Sequence, residues 1–392
     1  MNKTMSGKPA PVYVDNAATS FPKPPEVVET VCSLLGGISL SPGRAAHRYS
    51  LECSRIIFDA REELAGLFNC ADSSRIAFTG NVTEALNVGI FGLFGGKLHP
   101  GDHVITTALE HNSVMRPLRY LEKHGPLSIS ILPVNENGEV AMEELPRLLR
   151  DNTRLIVVNH VSNVTGAVLD IAGIGRRKGE ALLMVDAAQS AGVFPIDVEG
   201  MNIDMLAFTG HKALFGPPGS GGFYLRPGLM LRPLKMGGTG SNSETEIQPD
   251  FMPDLYEAGT PNTLGIAGLG AGVGFVRRTG LTAIREHEQR LCRLFLDGLQ
   301  SLNGVTVFGP VAGRPRAAVV SLRIKGKSES EIAHALDREF GIMVRAGLHC
   351  APAAHRAMGS FAHGTVRFSF GFFNTEADVA ACLRALDIIG RR

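Results

Sequence analysis

The chain reads as an α/β protein, with a larger domain on a mostly parallel β-sheet followed by a smaller α+β domain. Three features predict this. Short apolar runs alternate with longer amphipathic stretches through the first two-thirds of the 392 residues. Several of those runs are β-branched and apolar on consecutive positions, as strands covered on both faces require. From about Leu264 the texture changes, and helices and strands follow in a less regular order. The expected division is residues 13–263 for the larger domain and 264–392 for the smaller, with the N-terminal segment allowed to pack on the smaller one. A single core stops growing at about 250–300 residues, so the length suits two.

In chain order, RIAFTG (75–80), HVITTA (103–108), LSISILPV (127–134), RLIVVNHV (154–161), ALLMVDAA (181–188) and DMLAFTG (204–210) read as strands. Between them, 82–96, 111–124, 141–150 and 171–180 read as helices or contain them. The stretch 226–263, rich in Gly, Pro and Ser, reads as an irregular, functional connection. A long helical stretch, roughly 264–302, precedes VTVFG (305–309), AAVVSLRI (317–324), a helix from Glu329 to Phe340 and IMVRAG (342–347). TVRFSF (365–370) and a helix from Thr375 to Ile389 complete the chain. The 46 glycines are not periodic, which excludes collagen and low complexity. They cluster beside polar residues after apolar runs, where tight strand-to-helix loops need them.

Composition removes several function classes. A hydrophobic content of 44% with 20% charged residues is that of a globular protein. The net charge of +1 supplies no basic field for nucleic acid or an anionic membrane. MNKTMSGKPAPVYVDNAATS has no continuous apolar core, so no signal peptide is expected, and no run approaches the roughly 18 apolar residues of a membrane span. The six cysteines lie far apart without a CxxC pair, which argues against a disulfide framework and a zinc site. A cytoplasmic location and no bound metal are expected.

Chemistry concentrates at the ends of the expected strands. In FTGHKALFGPPGSGGFY (208–224), a strand ends at Thr209 and Gly210 and presents His211 and Lys212 before a Gly/Pro-rich turn. A nucleophilic lysine must be held rigidly yet open to a pocket; an ordinary surface lysine fits that motif alone equally well. LLMVDAAQS (182–190) places Asp186 directly after a buried strand, where it can keep a pyridinium nitrogen protonated or simply cap a helix. Gln189 follows three residues later and can donate to a phenolic oxygen. FTGNVTEALN (78–87) puts the N–H groups of Val82 and Thr83, with the Thr83 hydroxyl, at a helix start suited to an anion, or to no ligand at all.

LEHNSVMRP (109–117) sets His111 just beyond a strand, and NHVSNVTG (159–166) sets Asn163 beyond the next. Five strand ends carrying polar residues is the pattern of an open α/β sheet that binds ligand along one edge. IMVRAGLHCAP (342–352) holds Cys350 in a Gly/Pro-flanked loop rather than on an apolar face, with His349 and Arg345 as sources of positive potential favouring thiolate. The other five cysteines read as inert. Arg367 in TVRFSF suits a bidentate grip on a carboxylate.

Taken in order, YVDNAAT, TGNVTEALN, EHNS, VSNVTG, VDAAQS, TGHK, EAGTPN and RAGLHCAP resemble the class V pyridoxal-phosphate enzymes, specifically the group II cysteine desulfurases. The likeness runs from about Tyr13 to the C-terminus. It implies a fold-type I homodimer with pyridoxal 5′-phosphate bound to Lys212 as a Schiff base, Asp186 at the ring nitrogen and Gln189 at the phenolic oxygen. It also implies His111 stacked on the ring and Asn163 beside cofactor and substrate. Val82, Thr83, Thr209 and His211 would hold the phosphate, with Thr260 of EAGTPN reaching it from the other subunit. Cys350 matches the family's persulfide cysteine, while Arg345 and Arg367 match arginines at the substrate end. Leu348 stands where better-known members carry another residue, and 351–364 is slightly longer than in some relatives.

The implied reaction takes L-cysteine to L-alanine and passes sulfur through a Cys350 persulfide to a thiol or protein acceptor. Lys212 removes the α-proton and His111 shuttles a proton, since imidazole titrates near neutral pH. Selenocysteine lyase, cysteine sulfinate desulfinase and class V aminotransferase activities remain open on the same scaffold.

Overall fold

The computed structural model describes residues 11–37, 48–95, 98–135, 138–242, 244–310 and 313–392. The first ten residues of the stretch tested for a signal peptide, and residue 96 of the helix expected over 82–96, lie outside them. Strand β1 (Val12–Tyr13) and helices α1 (Pro25–Gly36) and α2 (Arg48–Phe68) lead into β2 (Ile76–Thr79) and α3 (Val82–Phe94). There follow β3 (His103–Thr107), α4 (Asn112–His124), β4 (Ser128–Leu132), α5 (Leu145–Leu148) and β5 (Thr153–Asn159). Next come α6 (Ile171–Arg177), β6 (Leu182–Asp186), β7 (Met205–Thr209) and β8 (Gly221–Leu225).

Strands β2 to β8 form one sheet in the order β2-β8-β7-β6-β5-β3-β4, parallel except that β8 runs antiparallel to both its neighbours. Alternate residues of a strand face opposite layers. Ile156, Val185 and Leu206 pack with α2, α6 and α7 (Thr263–Thr279) on one face. Val157, Met184 and Ala207 pack with α3 and α4 on the other. Burial on both faces is why these strands read as continuous apolar runs.

Six strands of this sheet lie where the apolar runs predict them, and β8 does not. Its GGFYL segment sits inside a Gly/Pro-rich motif and reads as turn. The glycines are there because a Cβ at Gly222 would come 2.5 Å from the Ala77 carbonyl oxygen and 2.7 Å from the Phe208 ring. Helices α1 and α2 occupy a stretch to which the sequence assigned no element.

The helical stretch from 264 divides into α7 and α8 (Leu281–Leu299), broken at Gly280, whose φ is 87°. The rest comprises β9 (Val305–Phe308), β10 (Val319–Ile324), α9 (Glu329–Phe340), β11 (Ile342–Met343), β12 (Arg345–Gly347), α10 (Pro352–Ala357), β13 (Thr365–Ser369) and α11 (Glu376–Arg391). A four-stranded antiparallel sheet runs β12-β13-β10-β9, and β1 pairs in parallel with β11. Its core joins Leu291 and Phe295 of α8, Leu336 of α9 and Leu386 of α11 to Phe368, with Val14 brought in from the N-terminus. α7, at the start of the segment expected to form the smaller domain, gives Ile266, Leu269 and Val273 to the larger sheet's core. Among the described residues no helix is long and apolar enough to cross a membrane.

Candidate active site

The parallel strands end on one edge, and the polar residues singled out above gather there. Asp186 closes β6, and Thr209 closes β7 ahead of His211 and Lys212. The turn after Thr209 is tight: Gly210 N–H donates to the Ser220 carbonyl at 2.8 Å, and Gly216 N–H to the Gly210 carbonyl at 2.8 Å. The N-terminal segment clamps this loop from outside. Thr19 Oγ1, the Ser20 N–H and Lys23 Nζ all donate to the His211 carbonyl, and Ser20 Oγ donates to that of Lys212 at 2.7 Å. Gln189 Nε2 donates to the Ala17 carbonyl at 2.9 Å on the same segment.

Burial sets the electrostatics. It pushes the Lys212 amine down to about 8, with Asp186 opposing and Arg367 and Arg345 reinforcing the shift. It pushes the Asp186 carboxyl up, against the Ala188 N–H donating to Oδ1 at 2.8 Å and the charge on Lys212. His111 N-caps α4, its Nδ1 accepting from the Ser113 N–H at 3.1 Å, which assigns the neutral ring's proton to Nε2. Burial, then Lys212, then nearby arginines hold that imidazole down to about 4. The near-neutral titration expected of His111 therefore does not hold; at neutral pH it is an uncharged ring.

Towards β2 the edge offers hydrogen-bond donors. Asn81 caps α3 by accepting from the Glu84 N–H, leaving the N–H groups of Val82 and Thr83 without an acceptor among the described residues. Thr209 Oγ1 is buried with no partner among the described residues. His211, half-buried, is held down to about 4 by burial and Lys212. Thr260 is exposed on the loop before α7, and no hydrogen bond joins it to these groups within the described residues.

The cysteine loop closes over this edge from the second sheet. The Cys350 carbonyl accepts from the Asn112 N–H at 2.8 Å, and the His349 carbonyl accepts from Asn163 Nδ2 at 2.8 Å. His349 and Cys350 take φ of 49° and 57°, left-handed values that cost about 1–3 kcal/mol each for ordinary side chains. The result is an exposed Cys350 thiol with Arg345 Nη2 3.9 Å from Sγ. His349 is not a source of positive potential. Its ring turns inward to Thr365 Oγ1 at 2.9 Å, and burial with Arg367 beside it pushes its pKa down to about 2.

Arg367 is 2% exposed; its Nη1 donates to the Asn163 carbonyl at 3.1 Å and its Nη2 to Asp15 Oδ1 at 2.7 Å. Asp15 had no role in the sequence reading. It lies in YVDNAAT, directly after an apolar pair, and that placement was its only signal. Arg61 and Glu257 were also missed. They form a two-pronged ion pair at 2.8 and 3.0 Å, and Glu257 Oε1 accepts from the Phe78 N–H, so the EAGTPN loop is fastened beside β2.

An edge with a buried amine, a buried carboxylate and an anion-binding helix start can hold a flat, phosphorylated cofactor and act on a substrate delivered to a thiol. The family model for class-V aminotransferases matches residues 12–382. The chain belongs to the class-V aminotransferase family. Within it the chain is similar to the probable cysteine desulfurase of Methanothermobacter thermautotrophicus, 34% identical with 94% of this chain and 92% of that one covered. It is 32% identical to the probable cysteine desulfurase of Halalkalibacterium halodurans, over 99% and 95% of the two chains. Among solved structures, an apo cysteine desulfurase from Thermococcus onnurineus superposes with a TM-score of 0.91 at 32% identity, covering 97% and 95%. The cysteine desulfurase CsdA of Escherichia coli, described with an S-sulfonic acid, superposes with 0.86 at 30%, covering 96% and 94%.

Proposed function

We propose that this class-V enzyme is a pyridoxal 5′-phosphate-dependent cysteine desulfurase, working in the cytoplasm as a homodimer. It takes L-cysteine to L-alanine and hands sulfur to a thiol or protein acceptor. The observation that carries the reading is the tethering of Cys350 over the Lys212 edge by Asn112 and Asn163. The cofactor fits the residues present: among the described residues Thr209 Oγ1 is buried and unpartnered, and the start of α3 has free N–H groups, so a phosphate has donors to meet. Val82, Thr83, Thr209 and His211 would hold the phosphate, Asp186 the ring nitrogen, Gln189 the phenolic oxygen, His111 the ring face and Lys212 the aldehyde carbon. Thr260 would complete the phosphate site of a second copy.

Bound there, the cofactor supplies an electron sink for the substrate's α-carbon. The chain supplies the rest. Arg367, pinned by Asp15, orients the substrate carboxylate together with Asn163. Lys212 Nζ, its pKa lowered by burial, takes the α-proton as a free amine. Cys350 Sγ, with Arg345 beside it, attacks the substrate sulfur, so an S–S bond forms as the Cβ–S bond breaks. The electron pair of the broken bond stays with the three-carbon unit, and Lys212, protonated by the α-proton it removed, returns a proton to that unit. A thiol acceptor then attacks the outer sulfur of the Cys350 persulfide and regenerates the thiolate.

Cys350→Ser tests this reading. Cofactor binding should survive, desulfuration of L-cysteine should fall by orders of magnitude, and no persulfide should be trapped by alkylation and mass spectrometry. Near-normal turnover would make the protein a lyase or aminotransferase on the same fold. Borohydride reduction and peptide mapping should find the cofactor on Lys212 and on no other lysine.

A further inference from the structure

Glu110, directly before His111, is 0% exposed. Its Oε1 accepts from Thr107 Oγ1 at 2.6 Å and from the Asn159 N–H at 3.0 Å. Its Oε2 is buried without a partner among the described residues. Asn159 Oδ1 is in the same state, while Asn159 Nδ2 donates to the Leu109 carbonyl at 2.7 Å. Two residues already bonded to one another thus each hold a buried oxygen with nothing to accept. An ionised carboxylate offers only lone pairs and leaves both oxygens unpaired. A protonated carboxyl has one O–H to give. Asn159 also stands opposite Asp186 in the β5–β6 register, so a charge on Glu110 would face a second buried carboxyl across β5.

We propose that Glu110 is a neutral acid, its proton on Oε2, that fixes the β3 and β5 ends carrying His111 and Asn163 and adds no charge of its own to the side of the edge that holds Asp186. It is a positioning residue. Burial pushes its carboxyl up to about 8, with Thr107 and Asn159 opposing and Asp186 adding to the shift. The surrounding titratable groups are Asp186 on β6, Lys212 beyond it after β7, and the imidazoles of His111 and His160, both held down to about 4.

The charge state has a thermodynamic signature. A carboxyl whose pKa is higher folded than unfolded favours folding fully only below its unfolded value. That contribution is lost as the pH rises towards the folded value. Glu110→Gln keeps the shape and a donor but cannot ionise, so it escapes the loss. Thermal unfolding of the full chain and of Glu110→Gln, across the pH range from about 5 to about 9, reads it directly. The expected result is a midpoint difference in favour of Glu110→Gln that widens by several degrees with rising pH and levels off near pH 8. Glu288 and the other titrating groups not coupled to Glu110 are common to both chains and cancel.

Glu110→Ala removes the same titration and should show the same widening from a lower starting midpoint, because it strands the Asn159 N–H. The slope can therefore be read if either variant fails to fold. A difference independent of pH in both variants would overturn the proposal. The role beside the cofactor rests on the function proposed above, but the unfolding test does not. A flat difference would remove the neutral acid and leave the assignment of Lys212 standing.

Discussion

Arg367 is the largest fully buried side chain among the described residues, and its charge is tolerated because Asp15 and the Asn163 carbonyl take its protons. Removing one partner of such a pair leaves an uncompensated buried charge. Asp15→Ala should therefore cost about 3–5 kcal/mol by denaturant titration, and should raise KM for L-cysteine more than it lowers kcat. A loss of stability with an unchanged KM would separate Asp15 from the substrate site. Lys212 makes a second prediction at this scale. Only its free amine reacts with an aldehyde, and its pKa is lowered to about 8. Recombination of the cofactor-free chain with pyridoxal 5′-phosphate, followed by absorbance, should accelerate as the pH passes through about 8 and flatten above it. A rate still climbing towards the range of an ordinary lysine would mean that the amine is not buried.

At the scale of the element, the glycines of α7 explain how the lysine loop is held. A Cβ at Gly268 would lie 2.8 Å from the ring of Pro217, and one at Gly272 would lie 2.2 Å from the Leu214 carbonyl oxygen. The helix thus lies directly on the backbone that follows Lys212. The Leu214 carbonyl is main chain and cannot swing aside. Gly272→Val should cost about 1–3 kcal/mol or more through overpacking, and should weaken cofactor retention on dialysis although it touches no site residue. Retention equal to that of the parent chain would show that the loop absorbs the displacement.

The N-terminal segment ties the whole molecule together. β1 joins β11, the strand just ahead of the second sheet's β12, Asp15 pairs with Arg367, and Thr19 and Ser20 hold the lysine loop of the first sheet. One segment thus reports on both halves of the site. The connection over 226–263 sends Leu231, Met252, Leu255 and Tyr256 into the core but leaves Met236 66%, Ile247 79% and Phe251 42% exposed. Exposed large apolar residues are what a homodimer interface would cover, and Thr260 stands exposed on the same segment. The active species should sediment as a homodimer, and an Ile247→Glu, Phe251→Glu double variant should dissociate and lose activity. Full activity in a monomer at assay concentration would sink the shared-site reading.

The apolar runs determined six of the seven strands of the larger sheet. Burial on both faces writes itself into consecutive residues, and a polar residue closing such a run, as Asp186 and Thr209 do, is visible locally. Lys212, Asn163 and Cys350 were legible for the same reason: each follows an element end in a motif that a short window contains. β8 was hidden because its glycines answer a close approach by Ala77 and Phe208, not a turn. Tertiary structure alone decided that Asp15 meets Arg367 across 352 positions of sequence. It alone decided that His111 and His349 are uncharged, since a pKa follows from burial and from charges on other strands. Residue type and spacing fixed which groups reach the sheet edge; their partners and protonation depend on what the fold packs around them, and no local stretch of sequence carries that.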